Sequence, residues 1–379
     1  MDGPGRTPHD ATHGVDLPAT QSVDLPSTQS VDTPATHSVD SLATHSVDVA
    51  IVGAGPVGLF AAFQCRMLRL SCVLIDALGE TGGQCTALYP EKPIYDIPAH
   101  AEIEAGALIA ALEAQIAPFA VPRLLGRRVT GLSGAAGAFS LRTDRGERIA
   151  ARTVLIAAGA GAFGPNRPPL DGIDAFEASG AVQYVVRTRA ALRGRSVAIA
   201  GGGDSAVDWA LSLAGVADRI WLIHRRAKFR AAPESVARLD RAVADGRIAL
   251  VVPYQLHALE GVDGALSGVV VSTLDGAVRT LPADRLLAFF GLSTDLGPIA
   301  DWGIETGMHG VIPVTPATLQ TSLPGVFAIG DVASYPGKLK LILQGFSEAA
   351  MAAHAIHGIA RPDQVLRFEH STTHGLPVS

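Results

Sequence analysis

The stretch Val47–Gly58, which reads VDVAIVGAGPVG, contains the pattern that decides the fold of this chain. Its first part, residues 47–52, is an apolar run of the kind found in central parallel strands, which are covered on both faces. Three glycines follow. Gly53 permits a tight turn, Gly55 lets a pyrophosphate approach the backbone, and Gly58 brings the following helix close to the strand. The stretch therefore predicts a dinucleotide-binding turn.

The residues after this turn complete the unit. A helix is predicted over 56–68, and its N-terminus at Pro56 offers free N–H groups and a positive potential to the pyrophosphate. A second strand is predicted over 71–75, and Asp76 stands at its end. An acid at that place accepts hydrogen bonds from a free ribose 2′-hydroxyl, so this site suits a dinucleotide without a 2′-phosphate.

A second glycine pattern begins 148 residues after the first and reads GGGDSA, from Gly201 to Ala206. A strand predicted over 195–200 precedes it and a helix predicted over 204–213 follows it. Alanine in place of the third glycine is compatible with this pattern, because only a small side chain is needed there. The predicted nucleotide-binding residues of this turn are Gly201, Gly203, Asp204, Ser205 and Ala206.

Positive charge, not an acid, follows the next strand of this second unit. His224 stands 23 residues after the first glycine of the pattern, the same offset as that of the acid in the first unit, and Arg225, Arg226 and Arg230 come after it. A solvated basic surface is the alternative interpretation. Arginine forms planar bidentate contacts with phosphate, so the cluster favours a ribose 2′-phosphate. Two unlike dinucleotide sites in one chain predict a flavoprotein that holds FAD and is visited by NADPH.

The chain returns to the first unit near its C-terminus. Residues 326–330 read as another apolar strand, and Asp331 follows it, at the strand end where open α/β sheets bind ligands. We expect Asp331 to hydrogen-bond the ribityl or phosphate part of FAD. An apolar segment over 341–357 predicts a helix whose N-terminus points towards the flavin. The fold class is therefore α/β, with two Rossmann-like, three-layer dinucleotide-binding domains, the NADPH domain inserted in the FAD domain.

An eight-residue unit repeats from Val15 onwards, as VDLPATQS, VDLPSTQS, VDTPATHS and VDSLATHS. Such short polar units cannot bury enough apolar area to offset their ordering entropy, so residues 1–46 are predicted to be disordered. A docking tail, or weak metal ligation by its histidines, is the alternative. The predicted domains are the FAD-binding domain at 47–165 and 290–362 and the NADPH-binding domain at 166–289.

Composition argues against several classes of function. The net charge of −6, from 36 acidic and 30 basic residues, gives no sign of nucleic-acid binding. Residues 49–65 lack charge, but the glycines and proline within them favour the strand–turn–helix over a membrane span. The three cysteines form neither a C-x-x-C pair nor a metal-binding spacing, so no metal site is predicted. They favour a reduced, cytoplasmic setting.

These motifs, in order over about residues 47–379, resemble those of the thioredoxin-reductase-like ferredoxin–NADP⁺ reductases. The matching stretches are VGAGPVGLFAAF, GGQCTALYPEKPIYDIP, VLIAAGAGAF, AGGGDSAVDWAL, IHRRAKFRA, FAIGDVASYPGKLKLI and GFSEAAMAAH. Thioredoxin reductases carry a C-x-x-C pair in the NADPH domain. This chain has no cysteine after Cys85, so dithiol–disulfide exchange by that route is excluded.

The resemblance implies further contacts with FAD, by Gly83, Gln84, Tyr89, His370 and Thr372. Tyr89 would stack on one face of the isoalloxazine. Residues 363–379 would form a tail over the flavin, with His370 reaching its other face from the second subunit of a homodimer. Cys85 and Pro93 depart from the aliphatic and aromatic residues usual at their positions in the family.

The implied activity is FAD-dependent ferredoxin–NADP⁺ reduction, with ferredoxin or flavodoxin as the partner and no catalytic acid or base. Two alternatives remain open, an NADPH-dependent reductase of a quinone or a low-molecular-weight disulfide and a flavin-binding redox sensor. Arg123, Arg127 and Arg128 are candidates for a basic docking patch, with a solvated face as the alternative. A rotation about links near residues 165–169 and 289–292 is expected to bring nicotinamide and flavin together.

Overall fold

The computed structural model describes residues 44–159, 161–366 and 375. The helices within them are α1 (Pro56–Met67), α2 (Gln84–Ala87), α3 (Ala105–Ile116), α4 (Ile173–Ala178), α5 (Asp204–Leu213), α6 (Pro233–Ala244) and α7 (Ile342–Ala360). The strands are β1 (Thr44–Val52), β2 (Cys72–Asp76), β3 (Pro93–Ile94), β4 (Ile103–Glu104), β5 (Arg123–Leu125), β6 (Val129–Ala135), β7 (Ala138–Thr143), β8 (Arg148–Ile156), β9 (Ala162–Pro165), β10 (Val182–Gln183), β11 (Ser196–Ala200), β12 (Arg219–Ile223), β13 (Ala249–Val251), β14 (Gln255–Val262), β15 (Ala265–Ser272), β16 (Val278–Pro282), β17 (Arg285–Ala288), β18 (Leu292–Asp295), β19 (Ile312–Pro313), β20 (Val326–Ala328) and β21 (Ala333–Ser334).

The first sheet has the order β5-β2-β1-β8-β7-β6, and β20 also pairs with β8. The strands β5, β2, β1, β8 and β20 pair in parallel, whereas β6 and β7 form an antiparallel extension. The nine-residue β8 pairs with β7 along its first half and with β20 along its second half. The parallel strands end at one edge of the sheet, which is where the first nucleotide site was predicted.

Strand β1 begins at Thr44, three residues before the predicted start at Val47. Residues 44–46 pair with residues 148–150 of β8, so the last residues of the repeat segment belong to the sheet. The predicted start was wrong because the length of β1 is set by its partner strand and not by its own composition. Residues 1–43, on which the rest of the predicted disorder falls, lie outside the described residues.

The second sheet contains five parallel strands in the order β10-β17-β11-β12-β13. All of them lie between Val182 and Ala288, and β20 comes later in the chain yet joins the first sheet. The second unit is therefore inserted within the first, as predicted from the sequence. The chain passes from the first unit to the second through β9 and returns through β18, and these two strands pair with each other in antiparallel fashion. A three-stranded antiparallel sheet, β14-β15-β16, lies between β13 and β17 in the chain.

Close helix packing places α1 and α7 at the edge of the first sheet where the parallel strands end. A Cβ added at Gly58 would lie 2.0 Å from the Gly53 carbonyl oxygen, and one at Gly345 would lie 2.3 Å from a methyl carbon of Val57. The missing side chain at Gly58 therefore lets α1 pack on the glycine turn, and the missing side chain at Gly345 lets α7 pack on α1. The N-termini of both helices therefore reach the same edge of the sheet.

The opposite end of the first sheet is held by the buried carboxylate of Asp48. It accepts hydrogen bonds from the backbone N–H and hydroxyl of Ser71, at 2.9 and 2.8 Å, and from Arg361 Nη2 at 2.7 Å. A buried carboxylate is stable only when such donors surround it. Asp48 therefore ties β1 to the end of α7. Within the described ranges, no helix combines the length and apolar character needed to cross a bilayer.

Candidate nucleotide-binding sites

A cleft of about 430 Å³ lies at the carboxyl ends of β1 and β2. The predicted FAD residues that line it are Gly53, Gly55, Pro56, Asp76, Gly83, Gln84, Tyr89 and Asp331. Gly58 is buried between α1 and the glycine turn and supports the cleft from behind. The remaining two predicted contacts, His370 and Thr372, lie outside the described residues.

The glycine turn has the shape that a pyrophosphate requires. Gly53 has a φ of +114°, and a Cβ there would lie 2.3 Å from the Ala157 carbonyl oxygen. A Cβ added at Gly55, by contrast, would have no atom within 4 Å beyond those of Gly55 and its two chain neighbours. Gly55 is also the N-cap of α1, where no side chain caps the helix. The helix N-terminus and an open glycine therefore face the cleft together, which fits an anionic ligand.

Asp76 closes this turn and also faces the cleft. One carboxylate oxygen accepts the Ala54 backbone N–H at 2.6 Å, and the other accepts that of Leu78 at 2.8 Å. Burial raises the pKa of Asp76, and these two hydrogen bonds oppose the rise. Each carboxylate oxygen retains capacity for a further hydrogen bond. Asp76 can therefore hold the turn and accept ribose hydroxyls at the same time.

The segment containing Gly83 and Gln84 packs directly against the glycine turn. Gly82 donates its N–H to the Ala54 carbonyl at 2.8 Å, and a Cβ on Gly83 would lie 3.2 Å from the Gly55 Cα. Gln84 begins the short helix α2 on the wall of the cleft. The paired glycines thus allow close backbone packing at the wall of the cleft, and not only a loop turn.

The far end of the cleft contains Cys85, Tyr89 and Asp331. Burial raises the pKa values of all three groups, that of the Cys85 thiol to about 12. At neutral pH the thiol is therefore protonated, and it is not a nucleophile. The Tyr89 ring packs against both the core of the first sheet and that of the second. It thus stands at the junction between the two units, where a flavin ring and a nicotinamide would have to meet.

Two of the three arginines that were candidates for a docking patch lie on this cleft. Arg127 and Arg128 line its wall, and the backbone N–H of Arg127 donates to the Asp76 carbonyl at 2.8 Å. The Arg127 side chain is paired with Glu147 at 2.5 Å, and that of Arg123 with Glu113 at 2.5 Å. The backbone N–H of Arg128 donates to the Asp144 carboxylate at 3.0 Å, and among the described residues its side chain forms no ion pair. The three residues therefore do not form a patch of free positive charge.

In the second unit, His224 shapes the glycine turn. Its ring fills the space beside Gly202, where a Cβ would lie 2.1 Å from a ring carbon, and its centroid is 5.2 Å from that of Phe229. Burial lowers the pKa of His224, and the nearby positive charges of the arginines that follow it lower the pKa further. The imidazole is therefore neutral at pH 7. It contributes packing here, whereas Asp76 at the same offset contributes charge.

The segment after His224 folds back over the glycine turn. Arg230 donates its backbone N–H to the Gly202 carbonyl at 2.7 Å, and Asp204 accepts that of Ala232 at 2.9 Å. Asp204 therefore holds the basic segment in place. The side chains of Arg225, Arg226 and Arg230 are exposed, and none of them pairs with an acid among the described residues.

Of the other predicted residues of this turn, some pack tightly inside it and some face open space. A Cβ added at Gly201 would lie 2.9 Å from that of Ala206, so both positions must be small. Ser205 is exposed in the first turn of α5, and Gly203, its N-cap, has open space beside it. The turn thus combines an open helix N-terminus with unpaired arginines, as a ribose 2′-phosphate and a pyrophosphate require.

Polar contacts join the two units beside Tyr89. The pairs are Lys92–Asp208, Arg189–Glu91, Arg189–Glu104 and Arg238–Tyr95. The Lys92–Asp208 pair is 3.2 Å long, and the Arg189 backbone N–H donates to Glu91 at 2.6 Å. Such long-range pairs have no local signal in the sequence. They hold the two units in the present arrangement, and the predicted rotation would have to break them.

The chain matches known proteins over this whole region. Residues 47–355 match the family of pyridine nucleotide-disulphide oxidoreductases. A ferredoxin–NADP reductase of Gluconacetobacter diazotrophicus is 70% identical over 329 residues, which are 87% of this chain and 96% of that protein. This chain belongs to the ferredoxin–NADP reductase family. A further member from Rhodospirillum rubrum is 58% identical over 333 residues, with 87% of this chain and 96% of that protein covered.

Solved structures confirm the predicted fold of this ferredoxin–NADP reductase family member. A thioredoxin reductase of T. acidophilum superposes with a TM-score of 0.73 at 21% identity, over 83% of this chain and 98% of that one. A thioredoxin reductase of Lactococcus lactis gives a TM-score of 0.72 at 24% identity, over 83% and 99%. At these identities the likeness shows a common architecture, which is the two-domain fold expected from the two glycine patterns.

Proposed function

We propose that this protein is a FAD-dependent ferredoxin–NADP⁺ reductase, which exchanges a hydride with NADP(H) and single electrons with ferredoxin. The observation that carries the proposal is the contrast between its two nucleotide sites, one with a carboxylate at the ribose position and one with unpaired arginines there. FAD, when bound, supplies the conversion between one hydride and two single electrons. A chain with both sites can bind a resident FAD and a visiting NADPH.

The residues of the first cleft fit FAD, and each has a distinct part. The α1 N-terminus at Gly55 binds the pyrophosphate, and Asp76 accepts the ribose hydroxyls. Tyr89 stacks on the ring system, and Asp331 binds the ribityl or phosphate portion. No side chain has to transfer a proton to the substrate, because the chemistry needs orientation and the exclusion of water.

Electrons leave the FAD site without a protein disulfide. Cys85, the cysteine that lines the cleft, is a buried free thiol with a pKa raised to about 12 by burial, and no cysteine follows it in the chain. An external one-electron carrier, ferredoxin or flavodoxin, is therefore the acceptor that we propose. Free thiols suit a reducing compartment, and we place the protein in the cytoplasm.

Reduction of cytochrome c by the FAD-loaded protein tests this function. With NADPH as donor, we expect the rate to depend strongly on added ferredoxin, with flavodoxin tried in its place and NADH a poor donor. Cytochrome c is the final acceptor, so its absorbance reports single electrons that the carrier delivers. Rapid NADPH oxidation by a quinone or a low-molecular-weight disulfide, with no stimulation by ferredoxin, would assign the enzyme to a small-molecule acceptor instead.

We also propose a homodimer, because one face of α7 is exposed and carries no lysine, arginine, aspartate or glutamate. The residues of that face are Leu343, Ser347, Met351, His354 and Gly358. Two of them, Leu343 and Met351, expose 41% and 40% of their surface. The centres of protein–protein interfaces are depleted in charged side chains. The α7 face therefore suits a second copy of the chain.

Met351→Glu is expected to dissociate the dimer, because it places a charge at the centre of the α7 face. Sedimentation velocity at micromolar concentration measures the change, and the weight-average mass should fall towards that of one chain. Leu274→Glu is the matched control, since Leu274 is an apolar residue that is 93% exposed in the second unit. A variant at Met351 that sediments as the unaltered protein does would refute this interface.

A further inference from the structure

A buried ion pair lies beside the FAD cleft and has no part in the sites described above. Glu348, in the middle of α7, is 1% exposed, and it pairs with Lys338, whose side chain is 6% exposed. One Glu348 oxygen accepts the Gly330 backbone N–H at 2.7 Å. The other accepts the Tyr335 hydroxyl at 2.6 Å, and Gln344 donates to that hydroxyl at 2.8 Å. Every group in this cluster has a partner.

The cluster connects two walls of the cleft. Gly330 and Asp331 form one wall, at the end of β20, and Ile342, the first residue of α7, forms part of another. Gly330 has a φ of +73° and begins the short 3-10 turn Gly330–Val332. Glu348 stands six residues after Ile342, nearly two helical turns along α7, and accepts the first N–H of the Gly330–Val332 turn. It therefore fixes the turn and the helix relative to each other.

Fold stability does not explain this burial of charge. A buried ion pair gives little net stabilisation over an apolar pair of similar size, because both charges must be removed from water. Removing one partner is costly, since it leaves the other charge uncompensated. Burial raises the pKa of Asp331, and the charges of Lys340 and Lys338 lower it while that of Glu348 raises it. The charges of Lys338 and Glu348 thus act on Asp331, which lines the cleft.

We propose that Glu348 is a positioning residue of the FAD site, which holds the Gly330–Val332 turn through the Gly330 N–H and balances the charge of Lys338 beside the bound cofactor. The inference rests on the proposed FAD-dependent function. Two consequences can be separated. The hydrogen bond to the turn sets how tightly FAD binds, and the balance of charge sets how readily the bound cofactor accepts electrons.

Glu348→Gln is the first variant to test, since glutamine keeps the size of the side chain and removes its charge. Losing charge-assisted hydrogen bonds to a buried group is expected to raise the FAD dissociation constant by about tenfold. Titration of FAD into the apoprotein, monitored through flavin fluorescence, measures the dissociation constant. The midpoint potential of the bound cofactor should shift to a more positive value, because the uncompensated Lys338 favours the gain of electrons. Equilibration with a reference dye measures the potential.

Two further variants separate charge from structure. They are Lys338→Met and the double variant that combines Glu348→Gln with Lys338→Met. Lys338→Met removes the cation, so the midpoint potential should shift in the opposite direction. The double variant removes both charges and should return towards the potential of the unaltered protein. A purely structural role would give no shifts of opposite sign. Glu305→Gln, at an exposed glutamate outside the cleft, is the matched control and should change neither quantity.

The outcomes distinguish this inference from the proposed function. Thermal unfolding of each apoprotein shows whether the variant folds before FAD is added. If the unaltered apoprotein binds no FAD, the proposed function fails. If it binds FAD and Glu348→Gln matches it in both affinity and potential, the positioning role of Glu348 is refuted alone. Potentials of the single variants that shift in the same direction would also refute the charge balance.

Discussion

Replacing Arg225 and Arg226 together with alanine is expected to lower kcat/KM for NADPH by about a hundredfold and to leave kcat/KM for NADH unchanged. Both side chains are exposed, and neither pairs with an acid among the described residues. They lie in the segment that Arg230 and Asp204 hold over the glycine turn. The two lost contacts are charge-assisted, but solvent screening at these exposed positions limits their joint contribution to about 3 kcal/mol.

Steady-state oxidation of each nicotinamide, with ferricyanide as the acceptor, measures this change. Arg193→Ala together with Arg195→Ala is the matched control, because these exposed arginines precede β11 and so lie at the end of that strand opposite the glycine turn. The control should keep the preference for NADPH. Equal losses for NADPH and NADH in the Arg225 and Arg226 variant would show that the cluster does not recognise the 2′-phosphate.

Gly55→Ala is expected to weaken FAD binding by about a hundredfold and to leave the Tm of the apoprotein nearly unchanged. The φ of Gly55, −69°, is ordinary for alanine, and beyond its chain neighbours no atom lies within 4 Å of the new Cβ. The methyl group therefore causes no strain in the empty protein. It does occupy the space through which the pyrophosphate approaches the helix N-terminus.

Titration of FAD into the apoprotein and a thermal melt of the same sample check both parts of this expectation. Gly79→Ala is the control, since Gly79 also has open space around it but does not line the cleft. Gly58→Ala gives the contrasting result, because its Cβ would lie 2.0 Å from the Gly53 carbonyl and should lower the Tm of the apoprotein itself. Unchanged FAD affinity in Gly55→Ala would place the pyrophosphate elsewhere.

Elements that depend on residues close to one another in the chain could be predicted from the sequence. The strand, glycine turn, helix and acid at Asp76 follow one another within a single segment, and the second unit repeats that order. The offset of 23 residues predicted a nucleotide contact at His224, but the packing of its ring on Gly202 could not be predicted from the offset. Residue type at a fixed offset indicates a position in the fold, and the surrounding packing decides what the side chain does there.

Features that depend on distant partners could not be predicted in this way. The start of β1 at Thr44 is set by β8, about a hundred residues later in the chain. Lys338 and Glu348 stand only ten residues apart, in two neighbouring motifs, yet nothing in their spacing shows that both charges are buried. The contact between Lys92 and Asp208 joins two units whose relative position no local pattern encodes.

The state of the cysteines makes the native chain suitable for distance measurements by site-directed labelling. All three are free and buried; burial raises the pKa values of Cys72 and Cys85 to about 12 and that of Cys65 well above its ordinary value. Thiol reagents react with the thiolate, so the native thiols should be silent at neutral pH. Cysteines introduced at the exposed positions Glu80 and Leu274 would then carry the only reactive groups, one in each nucleotide-binding unit. The separation of two spin labels could be followed as NADPH is added, with no native residue removed.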